Sequence, residues 1–217
     1  MGRFYFMKGT ISMTIVLIFI LAYLIGSIPF GLLFARLIKG IDLLRCGSGN
    51  IGTTNAFRCA GPVVGTLTLV FDVLKGLAGL SILALFVHTP WELYVTGLLI
   101  VIGHTRSVFL KGRGGKAIAT SFGVLLYLNP LAILLAAFLF AIVVAATRIV
   151  SLGSITAAIA YPLLTPFFRT DPLFILISYA LGAYAIYLHQ ENIRRLLRKE
   201  EPHLTFGHQV RKNKRLK

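Results

Sequence analysis

The sequence predicts an all-α integral membrane protein. It reads as a polytopic bundle of about seven transmembrane helices, N-terminus outside and C-terminus cytoplasmic. Three observations carry this. Hydrophobic residues make up 57% of the 217 and charged residues 13%, against about 45–50% and about 25% in a soluble domain. Mean hydropathy is +0.83. The apolar residues also fall into long runs separated by short polar stretches. At about 20 residues per crossing, the chain has no room for a separate soluble domain. A soluble globular enzyme, a disordered chain and a disulfide scaffold are excluded.

The first run, residues 11–35, is too long for a signal peptide and continues past Gly26, so it reads as an uncleaved helix. A polar, glycine-rich stretch follows to Gly65. Residues 66–87 are apolar but carry Asp72 and Lys75. After a connector at 88–92 comes the run 93–105, then a basic, glycine-rich loop at 106–117. Runs 118–129 and 131–147 are separated by Asn129-Pro130, and runs 149–166 and 172–188 complete the set. Run 118–129 is short for a core about 30 Å thick, so five to seven spans fit. Residues 1–203 read as one transmembrane domain and 204–217 as a basic cytoplasmic tail. The basic residues set the orientation. With seven spans, 18 Lys and Arg fall on one face and only Arg3, Lys8 and Arg169 on the other. The positive-inside rule makes the first face cytoplasmic.

The net charge is +15. Because the basic residues flank apolar runs, they point to the lipid bilayer and its anionic head groups rather than to nucleic acid. No aromatic interleaving suggests base stacking. Trp91 and its neighbours read as an interfacial belt, and His88, His203 and His208 as solvated. Cys46 and Cys59 share one basic loop on the predicted cytoplasmic side, where neither a bridge nor a metal site is expected.

Three loops on that face could carry chemistry. In the first, Gly47, Ser48, Gly49, Asn50, Gly52, Thr54 and Asn55 lead to Arg58. Glycine permits positive φ, and successive N–H groups can then converge on an anion. Ser48, Asn50, Thr54 and Asn55 add polar side chains, and Arg58 adds a fork suited to phosphate. In the second, Gly114, Gly115 and Lys116 open a helix whose N-terminus favours an anion, though the spacing is not a Walker A loop. In the third, His189 and Asn192 lie three apart and share a helix face. Asp72 and Lys75, inside a span, are expected to pair with each other or with Arg58 in a structural role. His104 reads as a helix-end polar contact. No metal cluster or cofactor motif is visible.

Two glycine-rich basic loops on one face imply two anionic groups held side by side. Group transfer between phosphorylated partners fits this, and so does a membrane transporter of a phosphorylated metabolite. Transporters usually show repeats and midplane sites, and neither is evident. None of the five histidines opens an H-x-x-x-x-D box.

The sequence resembles the PlsY family, bacterial membrane acyl-phosphate:glycerol-3-phosphate acyltransferases. The residues that carry the resemblance are Gly26-Ser27-Ile28-Pro29-Phe30-Gly31, the run Gly47 to Asn55 with Arg58, and Asp72-x-x-Lys75-Gly76. Gly103-His104, Gly114-Gly115-Lys116 with Ala119-Thr120, and His189-x-Glu191-Asn192-Ile193 complete the set. They span roughly residues 20–200, and Ala117 departs from the glycine usual after the loop lysine. The resemblance implies seven spans in the bacterial inner membrane with a cytoplasmic active site. It implies acyl transfer from a fatty acyl-phosphate to the 1-hydroxyl of sn-glycerol 3-phosphate, giving lysophosphatidic acid and phosphate, the first step of phospholipid synthesis. The soluble enzyme that makes acyl-phosphate is an expected partner, and no cofactor is expected.

The expected catalytic set is Ser48, Arg58, Lys116, His189 and Asn192. The first loop would hold the acyl-phosphate. Arg58, Gly114, Gly115, Lys116, His189 and Asn192 would hold glycerol 3-phosphate. The proton acceptor is either His189 or the substrate's own phosphate, with the shortage of carboxylates favouring the latter. A covalent acyl-Ser48 ranks last, for want of a neighbouring base.

Overall fold

A computed structural model describes residues 13–204. The expectations for Arg3, Lys8, His208 and the basic tail beyond Leu204 fall on residues outside that range. Ten α-helices follow in order: α1 (Met13–Ser27), α2 (Phe30–Lys39), α3 (Thr53–Ala60), α4 (Pro62–Ala84), α5 (Pro90–Thr105), α6 (Ile118–Leu128), α7 (Pro130–Thr147), α8 (Val150–Leu164), α9 (Pro172–Leu188) and α10 (Gln190–Leu197). No strand occurs among the described residues. Prolines 62, 90, 130 and 172 each open a helix, where the missing N–H costs nothing and φ is already helical.

Every apolar run of the sequence is helical, but the first, expected as one helix over 11–35, is broken at Ile28-Pro29 into α1 and α2, since Pro29 has no N–H to continue the ladder. Four stretches are long and apolar enough to cross a membrane: Met13–Lys39, Pro62–Ala84, Pro130–Thr147 and Val150–Phe167. The pair α9 and α10, bent by 57°, makes a fifth. Helix α6 has 11 residues and at 1.5 Å per residue rises about 16 Å, half a membrane core. The run 118–129 is therefore a half-span that stops at Asn129-Pro130. The chain is a multi-pass membrane protein. Its outer surface carries Leu17, Leu21, Leu135, Phe138 and Leu176, each at least 44% exposed, as lipid contact requires.

Helix α1 packs on α5, α4 on α6, α7 on α8, and α8 on α9. Two of these pairs approach through facing glycines. A Cβ at Gly26 would lie 2.0 Å from the Ile100 carbonyl of α5, and one at Gly103 would lie 2.3 Å from the Tyr23 carbonyl of α1. Likewise, Gly76 faces the Thr120 carbonyl and Gly123 faces that of Val73. Such contacts let backbones close in where lipid offers no hydrophobic drive. They fix α6, and with it the loop that precedes it. A second, smaller core of Leu32, Leu43, Ile51, Ala56 and Val64 seats the first loop.

Two findings concern buried polar groups and thiols. Asp72 and Lys75 pair at 2.8 Å, and the third member of the cluster is His104 rather than Arg58. Cys46 and Cys59, expected to stay apart, form a disulfide with Cα atoms 6.2 Å apart. The expectation followed compartment alone. The fold brings the two together because the intervening loop turns back on itself around Asn55.

Candidate active site

The first loop is built by its own side chains. Asn55, in the first turn of α3, is 2% exposed. Its Oδ1 accepts the Ser48 N–H at 3.0 Å, and its Nδ2 donates to the carbonyls of Asn50 (2.8 Å), Cys46 (3.0 Å) and Leu43 (3.3 Å). The Asn50 side chain accepts the Gly52 N–H at 2.8 Å, and the Gly49 N–H bonds the Cys46 carbonyl. Gly47 and Gly49 take φ of 59° and 68°, as the spacing predicts. A Cβ at Gly47 would strike Asn55 Oδ1 at 2.3 Å.

This corrects the expected amide nest. The N–H groups of Ser48, Gly49 and Gly52 are spent inside the loop, and so is the Asn55 amide. Among the groups left unbonded are the Thr53 and Thr54 N–H groups at the start of α3, which have no hydrogen-bond partner among the described residues, and the side chains of Ser48, Thr54 and Arg58 line the cavity beside them. Arg58 has no hydrogen-bond or carboxylate partner among the described residues, and it lines the central cavity. An unpaired guanidinium there is a ready phosphate ligand.

The second loop differs from expectation in the same way. The Gly115 N–H donates to the His104 carbonyl at 3.0 Å and is not free for an anion. Gly114 and Gly115 are glycines for space: a Cβ on either would lie 2.0–2.2 Å from His104 atoms. Ala117, at φ 56°, holds the left-handed conformation that caps α6, at a cost of about 1–2 kcal/mol for a residue with a Cβ. The loop thereby delivers Lys116, whose Nζ donates to Asn192 Oδ1.

The third segment completes the site. His189 ends α9 and is 3% exposed. Its Nδ1 lies 2.8 Å from the Ala185 carbonyl, an acceptor, so the proton sits on Nδ1 and the Nε2 lone pair is left open. Burial pushes Lys116 down to about 8, with the Arg195 charge acting in the same direction. Asn192 Nδ2 donates to Glu201 Oε1 at 2.6 Å. Glu201 also accepts from Ser151 Oγ and from Arg195 Nε, each at 2.7 Å. Desolvation works against its charge. The bonds from Ser151, Asn192 and Arg195 nonetheless hold its carboxyl below the usual range.

Sequence reading missed Glu201, Ser151 and Arg195. Glu200-Glu201 is the acidic interruption in an otherwise basic C-terminal stretch, and that contrast is the signal that marks it. The carboxylate turns the Asn192 amide so that its oxygen faces Lys116.

All three segments line one cavity of about 600 Å³. Its polar mouth carries Ser48, Asn50, Thr54, Arg58, Lys116, His189 and Asn192. Its inner wall is apolar: Phe122 and Leu125 of α6, Ile133, Ala137 and Phe140 of α7, Ala157 of α8 and Leu181 of α9. Gly47, Gly49, Gly114 and Gly115 shape the mouth from behind and do not line the cavity. No group of three or more metal-ligating side chains forms among the described residues.

A cavity that joins cationic and polar side chains to an apolar groove between membrane helices fits a membrane-embedded transferase. Residues 16–199 match the family described as glycerol-3-phosphate acyltransferase. The glycerol-3-phosphate acyltransferase of Geobacillus kaustophilus is 45% identical over 186 residues, 86% of this chain and 94% of that one. That of Bacillus subtilis is 42% identical over 190 residues, covering 88% and 97%. A crystal structure of PlsY, an integral membrane glycerol 3-phosphate acyltransferase in its glycerol 3-phosphate form, superposes with a TM-score of 0.82. It is 38% identical, and the match covers 88% of this chain and 96% of that one. The lysophosphatidic acid form superposes at 0.79 with 37% identity. The chain belongs to the PlsY family of glycerol-3-phosphate acyltransferases.

Proposed function

We propose that this enzyme transfers a fatty acyl group from an acyl-phosphate to the 1-hydroxyl of sn-glycerol 3-phosphate, releasing lysophosphatidic acid and phosphate. One observation carries the reading. A single cavity joins two clusters suited to anions, the start of α3 with Ser48 and Thr54 and the cations Arg58 and Lys116, to an apolar groove. Two phosphates and one acyl chain match that arrangement. The names of the relatives, and the glycerol 3-phosphate and lysophosphatidic acid forms of the PlsY structure, support the acceptor and product. The acyl-phosphate donor rests on the two anion sites and the family resemblance.

Ser48, Thr54 and the open amides of α3 hold the donor's phosphate. Arg58 and Lys116 hold that of glycerol 3-phosphate. His189 Nε2 and Asn192 orient the glycerol hydroxyls. The mixed anhydride is already activated, so holding the reactants in line and stabilising charge supply most of the rate. The hydroxyl oxygen attacks the carbonyl carbon, the bond to the phosphate oxygen breaks, and phosphate leaves. With the His189 ring proton held on Nδ1 by the Ala185 carbonyl, Nε2 accepts a hydrogen bond from the hydroxyl. The acceptor's own phosphate then takes the proton.

The catalytic unit runs to residue 203. The mouth faces the cytoplasm of a bacterial inner membrane, where glycerol 3-phosphate and the soluble enzyme supplying acyl-phosphate are found. The test uses purified protein in detergent with palmitoyl-phosphate and glycerol 3-phosphate, with palmitoyl-CoA as a parallel donor. Equimolar phosphate and lysophosphatidic acid from palmitoyl-phosphate alone is the expected result. Transfer from palmitoyl-CoA instead would overturn the donor assignment.

A further inference from the structure

His104 lies outside the catalytic set, yet it forms part of the cavity wall. It is 4% exposed and sits at the last turn of α5. Its surroundings fix its tautomer. Lys75 Nζ is 2.8 Å from the Ile28 carbonyl, 2.8 Å from His104 Nδ1 and 2.8 Å from Asp72 Oδ1. An ammonium has three hydrogens and no lone pair, and here it faces three acceptors. Nδ1 must therefore accept, so the ring proton is on Nε2.

Nε2 makes no hydrogen bond among the described residues. It is the ring atom nearest the second loop: a Cβ on Gly115 would lie 2.0 Å from it. The Gly115 N–H in turn bonds the His104 carbonyl, so ring and loop are tied together. The result is a rigid N–H donor on a buried, cavity-lining residue, without a protein acceptor among the described residues. It lies one residue from Lys116, on the wall that also carries Asp72 and Val73.

We propose that His104 Nε2–H is an oxyanion donor, hydrogen-bonded to the carbonyl oxygen of the acyl-phosphate as that oxygen gains charge. This rests on the acyl-phosphate reading above. The cations at the mouth suit phosphates, which are charged throughout. A neutral donor clamped in a water-poor wall suits an oxygen that becomes charged only in the transition state. As the glycerol hydroxyl adds to the carbonyl carbon, the π pair moves onto the carbonyl oxygen and the bond from Nε2–H shortens. Collapse returns that pair as phosphate leaves. No proton passes to or from His104. Asp72 and Lys75 are then positioning residues, holding the ring and its tautomer.

Two substitutions separate this role from a structural one. In His104→Asn, the amide oxygen reaches the Nδ1 position and still serves Lys75, but no donor remains at Nε2. In His104→Gln, the amide N–H reaches the Nε2 position. With palmitoyl-phosphate as donor, His104→Asn is expected to lower kcat by about 100- to 1,000-fold with both KM values nearly unchanged. His104→Gln is expected to recover at least about tenfold of that loss. A merely structural histidine predicts the reverse order. His104→Asn at wild-type kcat overturns the proposal, and so does a rise in KM for glycerol 3-phosphate at constant kcat.

A second measurement does not depend on these variants folding. In protein labelled with [15N]histidine, with His104 assigned by substituting the other histidines one at a time, Nε2 should carry the proton. Its signal should shift on adding palmitoyl-phosphonate, which keeps the carbonyl. A protonated Nδ1, or an Nε2 signal the analogue leaves unmoved, overturns the assignment. Failure of the wild-type enzyme to use palmitoyl-phosphate at all would instead sink the donor reading, so the two failures are distinct.

Discussion

At Lys116, position and charge make separate predictions. Lys116→Ala should raise KM for glycerol 3-phosphate by at least about tenfold with a smaller change in kcat, the pattern of lost ground-state binding. The charge adds a pH dependence. Burial holds Lys116 near 8, so the ammonium is present below that pH and lost as pH rises through it. A profile of kcat/KM for glycerol 3-phosphate should therefore fall above about pH 8, and Lys116→Arg should move the fall to higher pH. A flat profile to pH 10 in the wild type would remove the charge from the binding step. Asn55 makes the opposite case. The sequence marks it as one of several small polar residues around an anion, whereas the structure spends its amide on three carbonyls. Asn55→Asp would turn a carboxylate oxygen toward those carbonyls. We expect it to destabilise the fold by about 2–3 kcal/mol, read by thermal unfolding, rather than to weaken substrate binding selectively. Ser48, Arg58, Lys116, His189 and Asn192, which the structure brings to one cavity, stand out in the sequence because each is a polar type in a glycine-rich or helix-end context. Glu201 does not, because its bonds need the chain to turn back onto α10 just after that helix ends and to meet Ser151 of α8, distant in sequence.

The seven apolar runs and the break at Asn129-Pro130 are visible in the residue pattern, whereas the break at Pro29, inside a run read as one helix, is not. What the pattern does not carry is depth. Helix α6 has the composition of a span and the length of half of one, because Ala117 and Asn129 stop it at both ends. Its place is set by close backbone contact with α4. A Cβ at Gly123 would meet the Val73 carbonyl at 2.1 Å and the Leu77 nitrogen at 2.8 Å. Gly123→Val should push α6 off α4, costing about 1–3 kcal/mol, and should displace the loop that presents Lys116. A lower Tm together with a raised KM for glycerol 3-phosphate is the expected pair of results. The disulfide belongs to this scale too. A spacing of 13 residues says nothing of whether two thiols meet, and the turn that joins them is made by Asn55.

Across the whole molecule, the proposed function assigns recognition of charge to the polar mouth and recognition of chain to the apolar groove. Each methylene transferred to an apolar wall is worth about 0.8 kcal/mol, so donor KM should fall with chain length until the groove is full. Ala137, on the α7 wall of the groove, is a place to shorten it. Ala137→Phe should shift preference toward shorter acyl-phosphates and leave KM for glycerol 3-phosphate unchanged. An unaltered chain-length profile would place the acyl chain elsewhere.

The central claim is that one cavity holds both substrates together, so that the acyl group passes directly between them. Initial velocities with palmitoyl-phosphate and glycerol 3-phosphate varied against each other test it most directly. The account predicts intersecting double-reciprocal lines and no phosphate release when glycerol 3-phosphate is omitted. Parallel lines, with a burst of one phosphate per enzyme in its absence, would reveal an acyl-enzyme and contradict direct transfer.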